Sequence, residues 1–593
     1  MTEEERYQEA GEDQTAAPAF PPGNPLPLPD DPRKAQEILN ALPVRHQLDL
    51  VLQARGKQRL HTLFLSNHPV QLISQLPELE IFLTIKDIGE RDCLDLISLT
   101  TPDQFQYLLD LDFWKKDELD PEKVLCWLGL LLECGEKKIF QFIRTAEPDF
   151  LVLLMKKFLR VKTLEGEPVE VKEGAPFFTL DEYYFIEFKS NDAKPILQPF
   201  LRLLHQIDGD LYRRLMESLI WELESELSEY GYRLRNNRLA DYGFPDFEEA
   251  LEIYRFVNPD TLMLEKEPAA KWGREETEKG RPTFYLTFQK EGPFFSDVLS
   301  RVEEPLEQNR VKEEIAALSN KAMIAEGIDL FKIDEMEKVT KKVFHYLNLG
   351  LQYLSQEEET EALRVLQTLP IQKIFQCGVS CTLLLRKRAE GLFMGSWFGG
   401  DRENLVFLDS PFLERFEGIL LKRPRFSRNG IADDFRDLQD WRGMKNFLEF
   451  IEALTGFLEE RLDLDPRRLK EMDLSDCSPG HWRTITFSSI FLTVLANQVL
   501  YGFSRFEAIE RASLWDLFSR LFKRDEQGKG VIRMEMRDGL NAWLNSIEDD
   551  ESRRKHLRAF QDFCLDLLEE QFGKFPSGEA VDPRFVRGLL IRE

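Results

Sequence analysis

A mainly α-helical fold is what this sequence predicts, and three observations carry the prediction. Prolines stand repeatedly where helices would begin, apolar residues recur between them at three-to-four spacing, and strand-like alternation is confined to a few short stretches. The chain has 593 residues, 42% of them hydrophobic and 11% aromatic, which is ample material for packed cores and excludes global disorder. At about 150 residues per domain, that length predicts three to four domains or one long repetitive one. The 106 acidic residues outnumber the 78 Lys and Arg, for a net charge of −28. Wrapping duplex DNA or lying on anionic lipid needs a dense basic footprint, so neither nucleic-acid binding nor membrane insertion is expected.

Residues 1–31 hold eight acids, one arginine and six of the chain's 30 prolines. Such a segment cannot bury enough apolar surface to offset its ordering entropy, and it is predicted to be a disordered acidic tail. Residues 32–160 follow as an N-terminal helical domain. Prolines 32, 43, 69, 77, 102, 121 and 148 sit at first-turn positions, where the missing N–H costs nothing. Thr101 and Asp120 stand ready to cap, and the helix from Pro121 shows one apolar stripe of Val124, Leu125, Leu128, Leu131 and Leu132 closed by Gly135. Some helix starts repeat at 25 to 27 residues and others do not. The spacing is compatible with stacked hairpins of an α-solenoid or with an irregular helical bundle.

Residues 161–192 cluster β-branched and aromatic residues around Gly166 and Gly174 and predict a small inserted β-meander. Residues 193–264 return to helix. Residues 265–310, rich in charge with Pro268, Gly273, Gly280 and Pro282, read as a linker with a short strand over Phe284 to Phe288. Residues 311–593 form a helical C-terminal domain, interrupted by a Gly-rich, strand-prone stretch at 391–435. Within it Lys332–Leu354 and Glu358–Leu369 predict a helical hairpin, with Ser355 and Glu358 at capping-box spacing. The 21 uncharged residues from Thr484 to Ser504 are long enough to span a bilayer, but their many Ser, Thr, Asn and Gln residues predict a buried core helix instead.

Two stretches resemble a known family. Leu108-Leu-Asp-Leu-Asp-Phe-Trp114 with Asp117, then Trp127-Leu128 and Leu131-Leu-Glu-Cys-Gly135, resembles the opening of an uncharacterised bacterial protein family known only as a domain of unknown function. Arg235-Asn-Asn-Arg-Leu-Ala-Asp-Tyr-Gly-Phe-Pro-Asp-Phe-Glu-Glu-Ala250 resembles it as well. The likeness covers nearly everything after the tail and implies no activity. A weaker one, over residues 68–135, is to the cytosolic helical N-terminal domain of bacterial magnesium transporters. It rests on leucine-rich helical hairpins and implies neither membrane helices nor magnesium gating.

Catalytic motifs are missing: there is no phosphate-cradling glycine loop, no H-E-x-x-H and no G-x-S-x-G. The seven histidines are scattered, and the seven cysteines form no C-x-x-C pair and no disulfide framework. No metal site and no cofactor are expected. Asp525 to Ile532 mimics a calcium loop, but Lys529 would repel the ion. The absence of a basic, apolar leader and the pattern of cysteines predict a cytoplasmic protein.

Two clusters remain. Arg233, Arg235 and Arg238 could present planar donors to a phosphate or carboxylate just before a helix start at Pro245 or Asp246; alternatively Glu222, Glu224, Glu226 and Glu229 pair with them in a solvated network. In Gly395-Ser-Trp-Phe-Gly-Gly400, Trp397 and Phe398 could anchor a partner, or be buried beside tight turns. The function these features favour is a non-catalytic interaction or scaffold protein whose partner is another protein. The alternative is an enzyme or sensor that binds a small phosphorylated or carboxylated molecule through the arginines.

Overall fold

The computed structural model describes residues 29, 31–115, 117–163, 177–263, 284–330, 332–395, 397–428, 430–524, 529–572, 586 and 588–592. The expected acidic tail, apart from residues 29 and 31, lies outside them, as do residues 164–176 of the β insertion, 265–283 of the linker and 525–528 of the calcium-loop mimic. The chain divides into two compact units. The first comprises Met1–Tyr242, Gly273–Phe284 and Asp329–Ile333, the second Gly243–Trp272, Tyr285–Ile328 and Asp334–Glu593.

The first unit opens with ten short helices: α1 (Pro32–Ala41), α2 (Val44–Gln53), α3 (Gly56–Leu65), α4 (Pro69–Gln75), α5 (Glu78–Ile88), α6 (Leu94–Leu99), α7 (Pro102–Asp112), α8 (Pro121–Glu133), α9 (Glu136–Thr145) and α10 (Pro148–Lys156). Pro32, Pro69, Pro102, Pro121 and Pro148 occupy the first helical turn as the sequence predicts, while Pro43 and Pro77 stand one residue earlier as caps. Thr101 and Gln104 form a reciprocal capping box, Asp120 accepts from the Glu122 and Lys123 amides, and Gly135 follows α8 at φ +91°. From α1 to α9 each helix packs on the next but one. That is the pattern of stacked helical hairpins, so of the two arrangements compatible with the sequence this segment takes the solenoid-like one.

Strands β1 (Trp114–Lys115) and β2 (Glu118–Leu119) pair between α7 and α8. Of the expected meander, the described part is an antiparallel pair, β3 (Leu159–Thr163) with β4 (Tyr184–Phe188), plus a bridge from Phe178 to Ile186. Helices α11 (Lys194–Ile207), α12 (Gly209–Trp221) and α13 (Glu224–Asp241) complete the unit. Gly231 lets α13 approach α10: a Cβ there would come within 2.8 Å of Leu153 Cδ2.

The second unit has longer helices. Its elements are α14 (Phe247–Leu251), α15 (Pro259–Leu262), α16 (Pro293–Ser300), α17 (Pro305–Glu326), α18 (Ile333–Ser355), α19 (Glu359–Thr368), α20 (Ile371–Gly395) and α21 (Phe412–Leu420). A hairpin of β5 (Phe426–Arg428) and β6 (Ile431–Asp433) leads into α22 (Leu438–Glu460), α23 (Pro466–Glu471), α24 (Phe487–Tyr501), α25 (Leu514–Leu521), α26 (Met534–Ile547) and α27 (Glu551–Phe572). Two small sheets accompany them: β7 (Cys477–Ser478) and β8 (Ile509–Glu510) flank β11 (Ile591–Arg592), and β9 (Phe522–Arg524) pairs with β10 (Gly530–Ile532). Helices α18 and α20 cross backbone to backbone, since a Cβ on Gly350 would stand 2.0 Å from the Ile374 carbonyl oxygen and one on Gly378 2.2 Å from that of Tyr346.

Several expectations need correction here. Phe284–Glu291 is a 3-10 helix and not a strand. Ser355 closes α18 and bonds the Leu351 carbonyl, so it forms no capping box with Glu358. Among the described residues of 391–435, α20 persists to Gly395 and α21 follows, leaving strands only at β5 and β6. The uncharged run, by contrast, forms the buried core helix expected of it: α24 is capped and buried along most of its length, and among the described residues no helix is long and apolar enough to cross a membrane.

Candidate functional site

The predicted arginines lie inside helix α13, not before a helix start. Helix α14 begins after Asp246, whose side chain caps the Glu249 amide. Arg238 reaches the carboxylate of Asp110 on α7 with two bonds, Nε to Oδ2 and Nη2 to Oδ1, each 2.7 Å. Gln106 donates to the same carboxylate at 3.0 Å. Arg235 donates from Nε to the Asp110 backbone carbonyl at 2.6 Å and lies near the rings of Trp114 and Tyr232. Arg233 is exposed, over the ring of Tyr230. The three side chains therefore share no cavity: two turn onto Asp110 and the third faces solvent.

Asp110 is buried, with 1% of its side chain exposed against 26% for Arg238. Burial pushes its carboxyl up and the arginine fork works against that. Two residues on, Asp112 is equally enclosed and accepts from Lys86 Nζ at 2.7 Å and from Trp127 Nε1 at 2.6 Å. Burial opposes the charge on Lys86, but Asp112 and Glu90 outweigh it and hold the ammonium above its ordinary range. The Leu-Leu-Asp-Leu-Asp-Phe-Trp run thus supplies two buried carboxyl groups, and its first is gripped by the Arg235–Ala250 stretch. The two segments that carry the family resemblance are bonded to each other. Among the described residues, none of Glu222, Glu224, Glu226 and Glu229 forms an ion pair with these arginines, and Glu224 pairs with Lys157 at 2.7 Å.

Trp397 and Phe398, expected as a partner anchor or as buried residues, are 2% and 0% exposed. Trp397 packs edge-on against Phe407 and Phe487, and Phe398 lies against Phe416. An anchor must be reachable, so the anchor expectation is corrected.

Sequence reading missed a second ionic site, in the second unit. Glu326, at the end of α17, accepts from Lys342 Nζ at 2.9 Å, from the Tyr254 hydroxyl and from Arg423. Burial works to raise its carboxyl, and Lys342, Tyr254 and Arg423 together hold it below the ordinary range. Arg425 meets Asp434 at 3.2 Å, Arg436 meets Asp433 at 2.7 Å, and Arg428 bridges Asp433 and Asp440. These pairs fasten the hairpin to α17, α18 and α22. His345, 6% exposed, faces Glu291 at 3.3 Å, and burial holds its imidazole below the ordinary range. Among the described residues no group of three His, Cys, Asp or Glu could hold a metal ion.

On the far side of β5, next to α21, an open cleft of about 340 Å³ is lined by Glu414, Glu417, Leu421, Phe426, Ser427 and Ala432, among others. Gly418 sets its depth, because Arg425 donates from its amide to the Gly418 carbonyl at 2.9 Å and a Cβ on Gly418 would meet the Arg425 carbonyl oxygen at 3.2 Å.

Stacked short helices, an arginine clamp on a buried aspartate and an open cleft mark a mainly α-helical protein of two units. It belongs to the family of unknown function DUF6178, whose model matches residues 36–592. Comparison with curated proteins and with solved structures gives no match.

Proposed function

We propose that this chain is a cytoplasmic, non-catalytic interaction protein that binds another protein. The observation that carries the reading is the next-but-one stacking of α1 to α9, the arrangement by which short helices build extended partner surfaces. The arginine chemistry supports it. An anion clamp needs free guanidinium donors, whereas Arg238 already holds a carboxylate in the bidentate geometry a ligand would require, and that carboxylate is Asp110. All seven cysteines are free, which suits a reducing compartment.

Affinity capture from the native cell, read by quantitative mass spectrometry, is expected to return one protein in stoichiometric amount. The opposing result is a thermal shift with nucleotides or sugar phosphates that disappears in Arg235→Ala and Arg238→Ala. That outcome would restore the anion-sensor reading.

A further inference from the structure

We propose that this chain pairs with a second copy of itself by strand exchange, residues 588–592 of one copy entering the slot between β7 and β8 of the other. All the residues involved belong to the second unit, so the contact is separate from the α1–α9 surface.

Strand β11 is the middle strand of its sheet, antiparallel to β7 and parallel to β8. Without it β7 and β8 each present an open edge, and an open edge is a template for another chain. The slot takes one kind of segment. Val586, Leu589, Leu590 and Ile591 are 3%, 0%, 1% and 0% exposed, and Leu589 lines a small apolar cavity with Leu492, Leu517, Leu540 and Leu565. Arg592 then reaches Glu510, Nη1 to Oε1 at 3.0 Å. Three buried apolar residues in succession followed by an arginine are what fits, and every copy of the chain carries that segment.

Two features favour exchange over permanent insertion. The first is a slight backbone hold. Each ladder of β11 is two residue pairs long; beyond them the Ile509 amide donates to the Leu590 carbonyl and the Leu590 amide to Thr493 Oγ1, both at 2.9 Å. Most of the attachment is therefore side-chain burial. Those buried contacts are the same whichever copy supplies them, which makes the exchange of an identical element a low-cost route to a dimer. The second feature is reach. The thirteen residues 573–585 join α27 to Val586, and a chain of that length spans at most about 45 Å. At the mouth of the slot the turn is made locally, by Gly588 at φ +93°, where a Cβ would also come within 3.2 Å of Leu492 Cδ1. A segment arriving from either copy makes the same turn.

The register supplies a trap, because Arg592 lies across from Cys477 in the antiparallel ladder, within the Cα separation that a disulfide bridges. An isotope-labelled chain carrying Arg592→Cys and Cys477→Ser is mixed at high concentration with unlabelled wild type, and the mixture is oxidised with diamide. Position 592 of the labelled chain can then meet Cys477 only across copies. Peptide mapping should find the 477–592 link about tenfold or more above the link made by a labelled chain carrying Glu303→Cys and Cys477→Ser, since pairing raises the effective concentration of the two thiols. Glu303 is exposed and lies outside the sheet. Light scattering of unmodified wild type should show a dimer that grows with concentration. The single variant Arg592→Cys forms the same link within or between chains and checks that β11 occupies the slot. If that variant links only within one chain and the mixture stays at the Glu303 level, the segment does not leave its own copy and the proposal fails. It fails as well if neither sample forms the link, or if wild type stays monomeric at every concentration. A dimer without the 477–592 link rests on another surface and sinks the inference equally.

Discussion

The α7–α13 contact of the first unit and the hairpin side of the second are built from the same two groups, guanidinium and carboxylate, and they use them differently. Asp110 has 1% of its side chain exposed, and its arginine lies on a helix more than a hundred residues away in sequence. Around the hairpin, Arg428 is 26% exposed, and its partners Asp433 and Asp440 are 32% and 13% exposed. A shut pair penalises the loss of either partner, because the survivor stays buried and charged. A wet, multiply connected network tolerates the loss of one arm. Burial, more than the identity of the partners, therefore decides which charges are structural and which stay adjustable.

The extreme of the shut kind is Arg59 with Glu80. The two side chains meet at 2.7 Å with 3% and 2% exposure, and Arg59 also donates to the Val51, Leu52 and Glu80 carbonyls and to Thr84. Arg59→Met should destabilise by about 3–5 kcal/mol in chemical denaturation. A loss under about 1 kcal/mol would mean that water reaches Glu80 and that the pair is not shut.

Lys138 is shut in without a carboxylate. Its ammonium donates to the Thr100 carbonyl and hydroxyl and to Gln141 Oε1 at 2.7–2.9 Å, over the ring of Phe105. Burial lowers it to about 8. Unfolded, the same group titrates near 10.5, so between those values the unfolded chain binds more protons and stability rises with pH. Below about 8 both states hold the proton and the contribution is flat. Comparing wild type with Lys138→Met cancels the other groups. The wild type should gain on the order of 3 kcal/mol over the mutant from pH 8 to 10.5, and parallel curves would show that the ammonium is solvated.

Asp110→Ala tests the clamp itself. Arg238 keeps partial access to water, so the cost should be about 1.5–3 kcal/mol, less than at Arg59. Loosening of α13 should appear as faster amide exchange along residues 224–241.

How much of this was legible in the sequence follows from the range of the interactions. Proline at the first turn for Pro32, Pro69, Pro102, Pro121 and Pro148, the caps Thr101 and Asp120, and Gly135 after α8 are signals carried within a few residues, and each forms as read. The partner of Arg238 was not legible, because charge pairing within a helix sees only neighbours three or four residues away and Asp110 lies 128 residues upstream. The strand expected at Phe284–Phe288 failed on the same ground. The Phe284 amide is held by Glu80, a bond that no local propensity encodes. The hairpin has a local signal in Arg428-Asn429-Gly430-Ile431, since an Asn-Gly pair between strand residues marks a tight turn, and it lies within the strand-prone stretch 391–435, whose other residues are glycine-rich and blur the boundaries.

The smallest expected effect is at Arg428, and it is the one that separates the two regions most cleanly. Arg428→Ala removes the arm to Asp433 and Asp440, yet Arg436 still meets Asp433 at 2.7 Å, and Asp440 still accepts from the Arg436 amide at 2.8 Å. No buried charge is stranded, so denaturation should show a loss of no more than about 1 kcal/mol. Added salt should shrink that difference further while leaving the Asp110→Ala deficit nearly unchanged, because screening acts on exposed pairs far more than on shut ones. Equal salt dependence at the two sites would remove the distinction, and the hairpin would then have to be counted with the clamped core.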